Sequence, residues 1–279
     1  MKSFRDRSDF FALSRPKESQ AELSVKNLSL RWGSGFALSN VDLSVKTGEL
    51  FALIGPKGAG KTSLIDCITG ALTPHEGRMH FNDKDITGCE PHYISSLGIS
   101  RTFQEGRVFP EMTVLSNLLL ARHAFYRYNF FKAQLFSSQV RREEARNRGI
   151  AELMIELFNM QHVRKSPAAW LSYGMRKRLE IARALAMEPR MLIIDDPFTG
   201  MSQEEMDDIK RILSELNRLR NITMILAEDD MSDAVKISNR VAVLDFGVKL
   251  AEGSPDFVEN HPKVMKIYPI KEKCLSDIS

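Results

Sequence analysis

Two short stretches of the chain combine residue types that act together on phosphate. The first is GPKGAGKT, from Gly55 to Thr62. Gly55, Gly58 and Gly60 let the backbone curl around Pro56, Lys57 and Ala59, so that successive amides and the start of a following helix face one anion. Lys61 adds a point charge for the β and γ phosphates of a nucleotide, and the Thr62 hydroxyl is a hard ligand for Mg²⁺. Pattern and spacing match the P-loop. The second stretch is IIDDPFTG, from Ile193 to Gly200, in which an apolar run meets two adjacent carboxylates and is stopped by Pro197. A P-loop site needs a second acid at the tip of a neighbouring strand to hold magnesium, and Asp195 is the candidate.

These residues need strands to aim them. LFALI (50–54) precedes the glycine turn, and a helix is expected from Lys61 to about Ile68. MLIID (191–195) leads to a helix from Ser202, ITMILA (222–227) to a helix near 230–238, and RVAVLDFG (240–247) to a turn. Continuous apolar strands joined by helices imply a mainly parallel α/β sheet, buried on both faces. LSVKNLSLRW (23–32) and LSNVDLSV (38–45) alternate instead, as half-buried antiparallel strands do. Between Ile99 and Ala186 strand signals nearly vanish, and TVLSNLLLAR, RREEARNRGIAELMIELF and GMRKRLEIARALA read as an inserted helical lobe. In the last of these, Met175, Leu179, Ala182 and Ala186 share one face, while Arg176, Lys177, Glu180 and Arg183 fall elsewhere.

Composition sets outer bounds. A chain of 279 residues, 43% hydrophobic and 27% charged, can bury one large core or a core with a smaller lobe. A net charge of +3 is too mild to demand a nucleic-acid partner. The excess is local: residues 122–148 carry seven Lys or Arg against two acids. The basic, aromatic stretch HAFYRYNFFKAQLF (123–136) within it is either a plain amphipathic surface or a docking face for a membrane protein or anionic lipid. Cys67, Cys89 and Cys274 are too widely spaced for a zinc knuckle or a small disulfide framework, which fits a reducing cytosol. No apolar run approaches the roughly 18 residues of a membrane span. Residues 1–20 lack the apolar block of a signal peptide and read as a loose leader or a contact arm.

Beyond the P-loop, SRTFQEGRVFPEMTVLSNLLLARH (100–123), LSYGMRKRLEIARAL (171–185), MLIIDDPFTGM (191–201), ILAEDDM (225–231) and VAVLDFGVKLAEGSPDFVENHPKVMKIY (241–268) follow in the order seen in ABC-transporter ATPase subunits. The set most closely resembles the LivG type, which drives uptake of branched-chain amino acids, over roughly Ala21 to Tyr268. The resemblance implies a P-loop NTPase core with an antiparallel N-terminal β subdomain and a helical subdomain at about 104–186, followed by a tail at 269–279. It implies that Trp32 stacks on adenine and that Gln104 touches Mg²⁺ and relays its position to the membrane subunits. It also implies that Ser172, Tyr173, Gly174 and Met175 form the signature that meets the ATP of an opposite subunit. Ser172 equally suits a helix N-cap, and the two roles are compatible.

The chain departs from that family in several places. The acid after the magnesium aspartate is normally a glutamate that orients the attacking water; here it is Asp196, one methylene shorter. Where the family carries a histidine that hydrogen-bonds the γ-phosphate stands Asp229. A carboxylate there repels phosphate, by about 4 kcal/mol for unit charges about 4 Å apart. Asp229 must therefore turn away, take up a proton or lean on a cation. Lys57, where asparagine is common, is one such cation. Met175 stands for a usual glutamine, and Ser202, with Glu205 three residues on, suits a capping box better than a loop-closing role. Gripping residues are intact while hydrolytic ones are altered. The resemblance thus implies a peripheral ATPase subunit on the cytoplasmic face of the plasma membrane, slow in its own hydrolysis. Its expected partners are a second ATPase subunit, transmembrane permeases and, indirectly, a solute-binding protein, with no nucleic acid. The rival reading is a regulatory module that clamps ATP without turnover.

Overall fold

The computed structural model describes residues 22–33, 35–102, 108–125, 138–231 and 233–269. The leader, Gln104, nearly all of the basic aromatic insert and residues 270–279 lie outside them. Among the described residues two sheets form. One is antiparallel, in the order β2-β1-β4-β5, from Leu23–Trp32 (β1), Gly35–Val45 (β2), Glu76–Phe81 (β4) and Lys84–Asp85 (β5). The other runs β10-β9-β3-β8-β7-β6 and comprises Leu50–Ile54 (β3), Ile99–Arg101 (β6), Met191–Asp195 (β7), Thr223–Glu228 (β8), Arg240–Asp245 (β9) and Val248–Gly253 (β10). Its strands pair in parallel except for the edge pair β9 and β10.

The expected two-sided burial holds. Leu50, Ala52 and Ile54 enter one apolar cluster, while Phe51 and Leu53 enter the other. β7 and β8 divide their residues in the same way, so the mixed sheet separates two cores. One side is covered by Val114–Ala121 (α3), Ser138–Leu157 (α4), Tyr173–Ala186 (α5) and Gln203–Arg220 (α6). The antiparallel sheet and Lys61–Ile68 (α1) cover the other. Short helices Pro91–Ser96 (α2), Asp233–Ile237 (α7), Pro255–Glu259 (α8) and Pro262–Ile267 (α9) complete the fold. No helix among the described residues is long and apolar enough to cross a membrane.

Several expectations need correction. The stretch from Ile99 onward holds a strand after all: β6 pairs with β7, Ile99 against Met191 and Arg101 against Ile193. α7 begins at Asp233, because the turn at 229–231 carries the end of β8 away from the sheet first. The charged residues of α5 are not all solvated, since Lys177, Arg178 and Glu180 are buried with its apolar face. Arg122, one of the seven cations of the basic segment, is also internal. It is 1% exposed, donates to Asn147 Oδ1 at 2.8 Å and to the Ala186 carbonyl at 2.5 Å, and pairs with Glu188 at 2.8 Å. The guanidinium thus ties the ends of α3 and α5 to α4.

Candidate functional site

The cleft lies at the carboxyl ends of β3, β7 and β8, where open α/β sheets place their ligands. Gly60, at φ +100°, is the N-cap of α1, and a Cβ there would come 2.6 Å from the Ala37 carbonyl. Only glycine fits, and the curl it permits turns the orphan first-turn amides of α1 into the opening. Lys57, Gly58, Ala59, Gly60, Lys61, Thr62 and Ser63 form one wall of a cavity of about 390 Å³. Asp195, Asp196, Ala227 and Asp229 form the facing wall. Gly55 stands at the end of the β3 run, its amide donating to the Glu228 carbonyl at 3.2 Å, and Pro56 accepts from Ala59 N at 3.0 Å to close the turn.

Lys61 is 7% exposed, and its ammonium is fully engaged by protein. Nζ donates to the Gly55 carbonyl at 2.6 Å, to the Pro56 carbonyl at 3.2 Å and to Asp229 Oδ1 at 2.8 Å. Of the three ways out open to Asp229, the structure takes the cation, and the cation is Lys61. Lys57 also lines the cleft, with an exposed side chain. The Asp229 main chain is held as well, for Tyr268 Oη donates to its carbonyl at 2.6 Å from just beyond α9.

Asp195 ends β7 only 2% exposed. Its amide donates to Thr102 Oγ1 at 3.2 Å, and Arg101 Nη2 donates to its Oδ2 at 3.1 Å. The same guanidinium pairs with Asp66 on α1, bridging P-loop helix and β7. Burial pushes the Asp195 carboxyl above its ordinary range; Arg101 opposes that shift and Asp196 adds to it. A hydroxyl from Thr62 and a carboxylate from Asp195 are hard oxygen donors, which suit Mg²⁺ beside nucleotide phosphates. A carboxylate already held by a guanidinium suits contact with the ion through water.

Asp196 sits at φ +56°, a region that Asp tolerates better than longer side chains. Its Oδ1 accepts from Thr199 Oγ1 at 2.5 Å, its amide donates to Ala227 O at 2.9 Å, and its carbonyl accepts from Lys177 Nζ at 3.2 Å. Glu228, which the sequence reading did not single out, is buried behind it at the end of β8 and accepts from the Phe198 amide at 3.1 Å. Burial, then Asp196, pushes the Glu228 carboxyl up to about 8. Three consecutive acids closing an apolar run, Glu228 to Asp230, were the available signal.

Trp32 is 69% exposed at the end of β1, so it is not a core residue. With Gly35, Phe36, Ala37, Ser63, Asp66 and Leu72 it lines a second cleft, which shares Ala37 and Ser63 with the first. A flat ring beside the phosphate wall can stack on a base. Ser172, Tyr173, Gly174 and Met175 do not line either cleft; they open α5, where Ser172 Oγ accepts from Met175 N at 3.3 Å as an N-cap. Ser202 forms the expected capping box, accepting from Glu205 N at 3.3 Å while Glu205 Oε2 accepts from Ser202 N at 3.0 Å. Gln104 lies outside the described residues.

Comparison with known proteins agrees with this geometry. The pattern of the ABC transporter family matches residues 38–199. The branched-chain amino acid transport ATP-binding protein BraF of Pseudomonas aeruginosa is 36% identical over 246 residues, covering 88% of this chain and 96% of its own. LivG of Escherichia coli is 36% identical over 250 residues, covering 90% and 98%. Among solved structures, the ADP conformation of an ATP-binding cassette of an ABC transporter is 32% identical, with a TM-score of 0.75 over 90% of this chain and 99% of that one. A P-loop aimed from the centre of a parallel sheet, over a chain matched nearly end to end by such relatives, places this protein in the ABC-transporter family of ATP-binding subunits.

Proposed function

We propose that the chain is the ATP-binding subunit of an importer for branched-chain amino acids. The observation that carries this reading is the cleft itself. The P-loop amides, Lys61, Thr62 and Asp195 converge on one space, beside an exposed Trp32. The names of BraF and LivG favour the solute class. In this reading Gly55, Pro56, Lys57, Gly58, Ala59, Gly60 and Lys61 hold the phosphates and Trp32 stacks on the base. Thr62, Asp195 and Gln104 serve the magnesium, whose chemistry is to neutralise phosphate charge.

The signature residues Ser172 to Met175 lie away from this chain's own cleft, which favours their completing the site of a second ATPase subunit. The helical lobe at about 104–186 is the surface for transmembrane permeases, which place the subunit at the cytoplasmic face of the membrane. A solute-binding protein acts indirectly through them. Asp196, tied to Thr199, and Asp229, tied to Lys61, are poorly set to activate water or steady a γ-phosphate, so hydrolysis at this cleft is slow. That same pair favours the second reading, a regulatory subunit that clamps ATP without turnover.

The deciding experiment is uptake of labelled leucine by proteoliposomes holding this chain with the permease and ATPase products of adjacent genes. ATP-dependent uptake that stops when this chain is left out supports the importer. Uptake of a different solute, such as urea, moves the substrate. A complex that binds ATP but carries out no uptake favours the regulatory reading.

A further inference from the structure

The P-loop lysine of this chain has no N–H left for a ligand. An ammonium offers three donors, and Lys61 Nζ has three protein acceptors at 2.6, 3.2 and 2.8 Å: the Gly55 carbonyl, the Pro56 carbonyl and Asp229 Oδ1. Two of these belong to the loop that would surround a phosphate. The third is a full negative charge delivered from the opposite wall, at the end of β8. We propose that Asp229 competes with the terminal phosphate for Lys61, so that this site discriminates against a nucleoside triphosphate relative to the diphosphate. The inference rests on the nucleotide-binding reading above and adds a selectivity to it.

The geometry gives the competition its direction. A P-loop cradles the inner phosphates in its own amides, and the lysine reaches the outer ones. The outermost phosphate therefore projects from the α1 wall toward the tips of β7 and β8, where Asp195, Asp196 and Asp229 stand. Of these only Asp229 touches Lys61. A diphosphate ends inside the curl, where the loop amides hold it and the Lys61–Asp229 pair can stay in place. A triphosphate adds its extra charge where the Asp229 carboxylate already sits, and it must break a charge-assisted hydrogen bond before it gains one.

Asp229 cannot retreat by moving its backbone without loss, because Tyr268 Oη holds its carbonyl at 2.6 Å. The preceding residue is held too, with the Glu228 carbonyl bonded to Gly55 N at 3.2 Å. The Asp229 side chain is 38% exposed, so rotation into solvent is the available route. That leaves a carboxylate near the phosphate rather than on the lysine. Nearby acids add to the repulsion: Asp230 follows Asp229 in sequence, and Asp195 and Asp196 line the same side of the cleft.

The test is equilibrium binding of Mg²⁺ with ADP, and of Mg²⁺ with the non-hydrolysable triphosphate AMP-PNP, to the full chain as wild type, Asp229→Asn and Asp229→Ser. Asparagine keeps the volume and removes the charge; serine covers the case in which the amide disturbs the turn. The ratio of the AMP-PNP to the ADP dissociation constant is expected to fall about tenfold in both variants, with ADP affinity itself changing less than about threefold. A ratio unchanged within about twofold in both variants, while ADP still binds, overturns this inference and leaves the nucleotide site standing. If neither nucleotide binds the wild type or the variants, the nucleotide-binding reading falls first and takes the selectivity with it.

Discussion

Replacing Asp196 by glutamate tests whether side-chain length limits hydrolysis. The main chain at Asp196 is fixed on both sides, by Ala227 O at 2.9 Å from its amide and by Lys177 Nζ at 3.2 Å from its carbonyl. Side-chain length then decides how far the carboxylate reaches, and at present it reaches Thr199 Oγ1 at 2.5 Å. One added methylene extends it by about 1 Å, a displacement on the scale that costs about 100-fold in rate when a reacting group is misplaced. Two effects oppose the change, and both act on stability. Glutamate in the left-handed region at φ +56° is disfavoured by about 1 kcal/mol relative to aspartate. Loss of the Thr199 hydrogen bond removes about 1 kcal/mol more. Steady-state phosphate release by the full chain, alone and with its partner ATPase subunit, should therefore rise by about 10- to 100-fold in Asp196→Glu. Melting should fall by a few degrees, about 2 to 4 °C per kcal/mol for a chain of this size. Asp229→His in the same assay restores an imidazole donor and frees Lys61, and should also accelerate release. A wild-type chain that already turns over at about 10 per second, and that neither substitution speeds up, would refute the reasoning.

Three further outcomes follow from the packing. Burial holds the folded Glu228 carboxyl at about 8, against an ordinary value of 4.5, so the folded state binds the extra proton and stability drains away as pH rises between those values. Glu228→Gln should match wild type near pH 4.5 and exceed it at pH 7 by roughly 2 to 3 kcal/mol in urea unfolding; a difference that does not grow with pH contradicts this. Arg122→Met leaves the buried Asn147, Glu188 and Ala186 oxygens without their cation and should cost about 3 kcal/mol, seen as early unfolding of α3, α4 and α5 in hydrogen exchange. Ser202→Ala breaks the capping box at the start of α6 and should cost about 1 kcal/mol with nucleotide binding unchanged, as read by thermal melting and ADP titration.

How much the sequence disclosed depended on how local each signal was. LFALI and MLIID became β3 and β7 at the expected residues because two buried faces leave an unbroken apolar run. β6 was missed because three residues, Ile99–Arg101, are too few to show a period, and its pairing partner β7 lies some 90 positions on. β4 and β10 were missed because charged residues such as Arg78 and Glu252 break up their apolar pattern. At the site, the P-loop, Asp195 and the Ser202 cap were legible, since neighbouring residues define each of them. Arg101 bridging Asp66 to Asp195 was not, because it joins three elements that only the folded sheet brings together. The fate of Asp229 was narrowed to three physical options by its charge alone. Choosing among them required seeing Lys61, 168 positions away, at 2.8 Å.

The most direct test of the whole account is retention of Mg·ATP by the purified chain, compared between wild type and Lys61→Ala in a filter-binding or calorimetric titration. Wild type should bind with saturation, and Lys61→Ala should weaken binding by about 100-fold or more, through loss of a charge-assisted bond to phosphate. A wild-type chain that retains no Mg·ATP, or a Lys61→Ala chain that retains it equally well, would contradict the claim that these curled amides and their lysine grip a nucleotide.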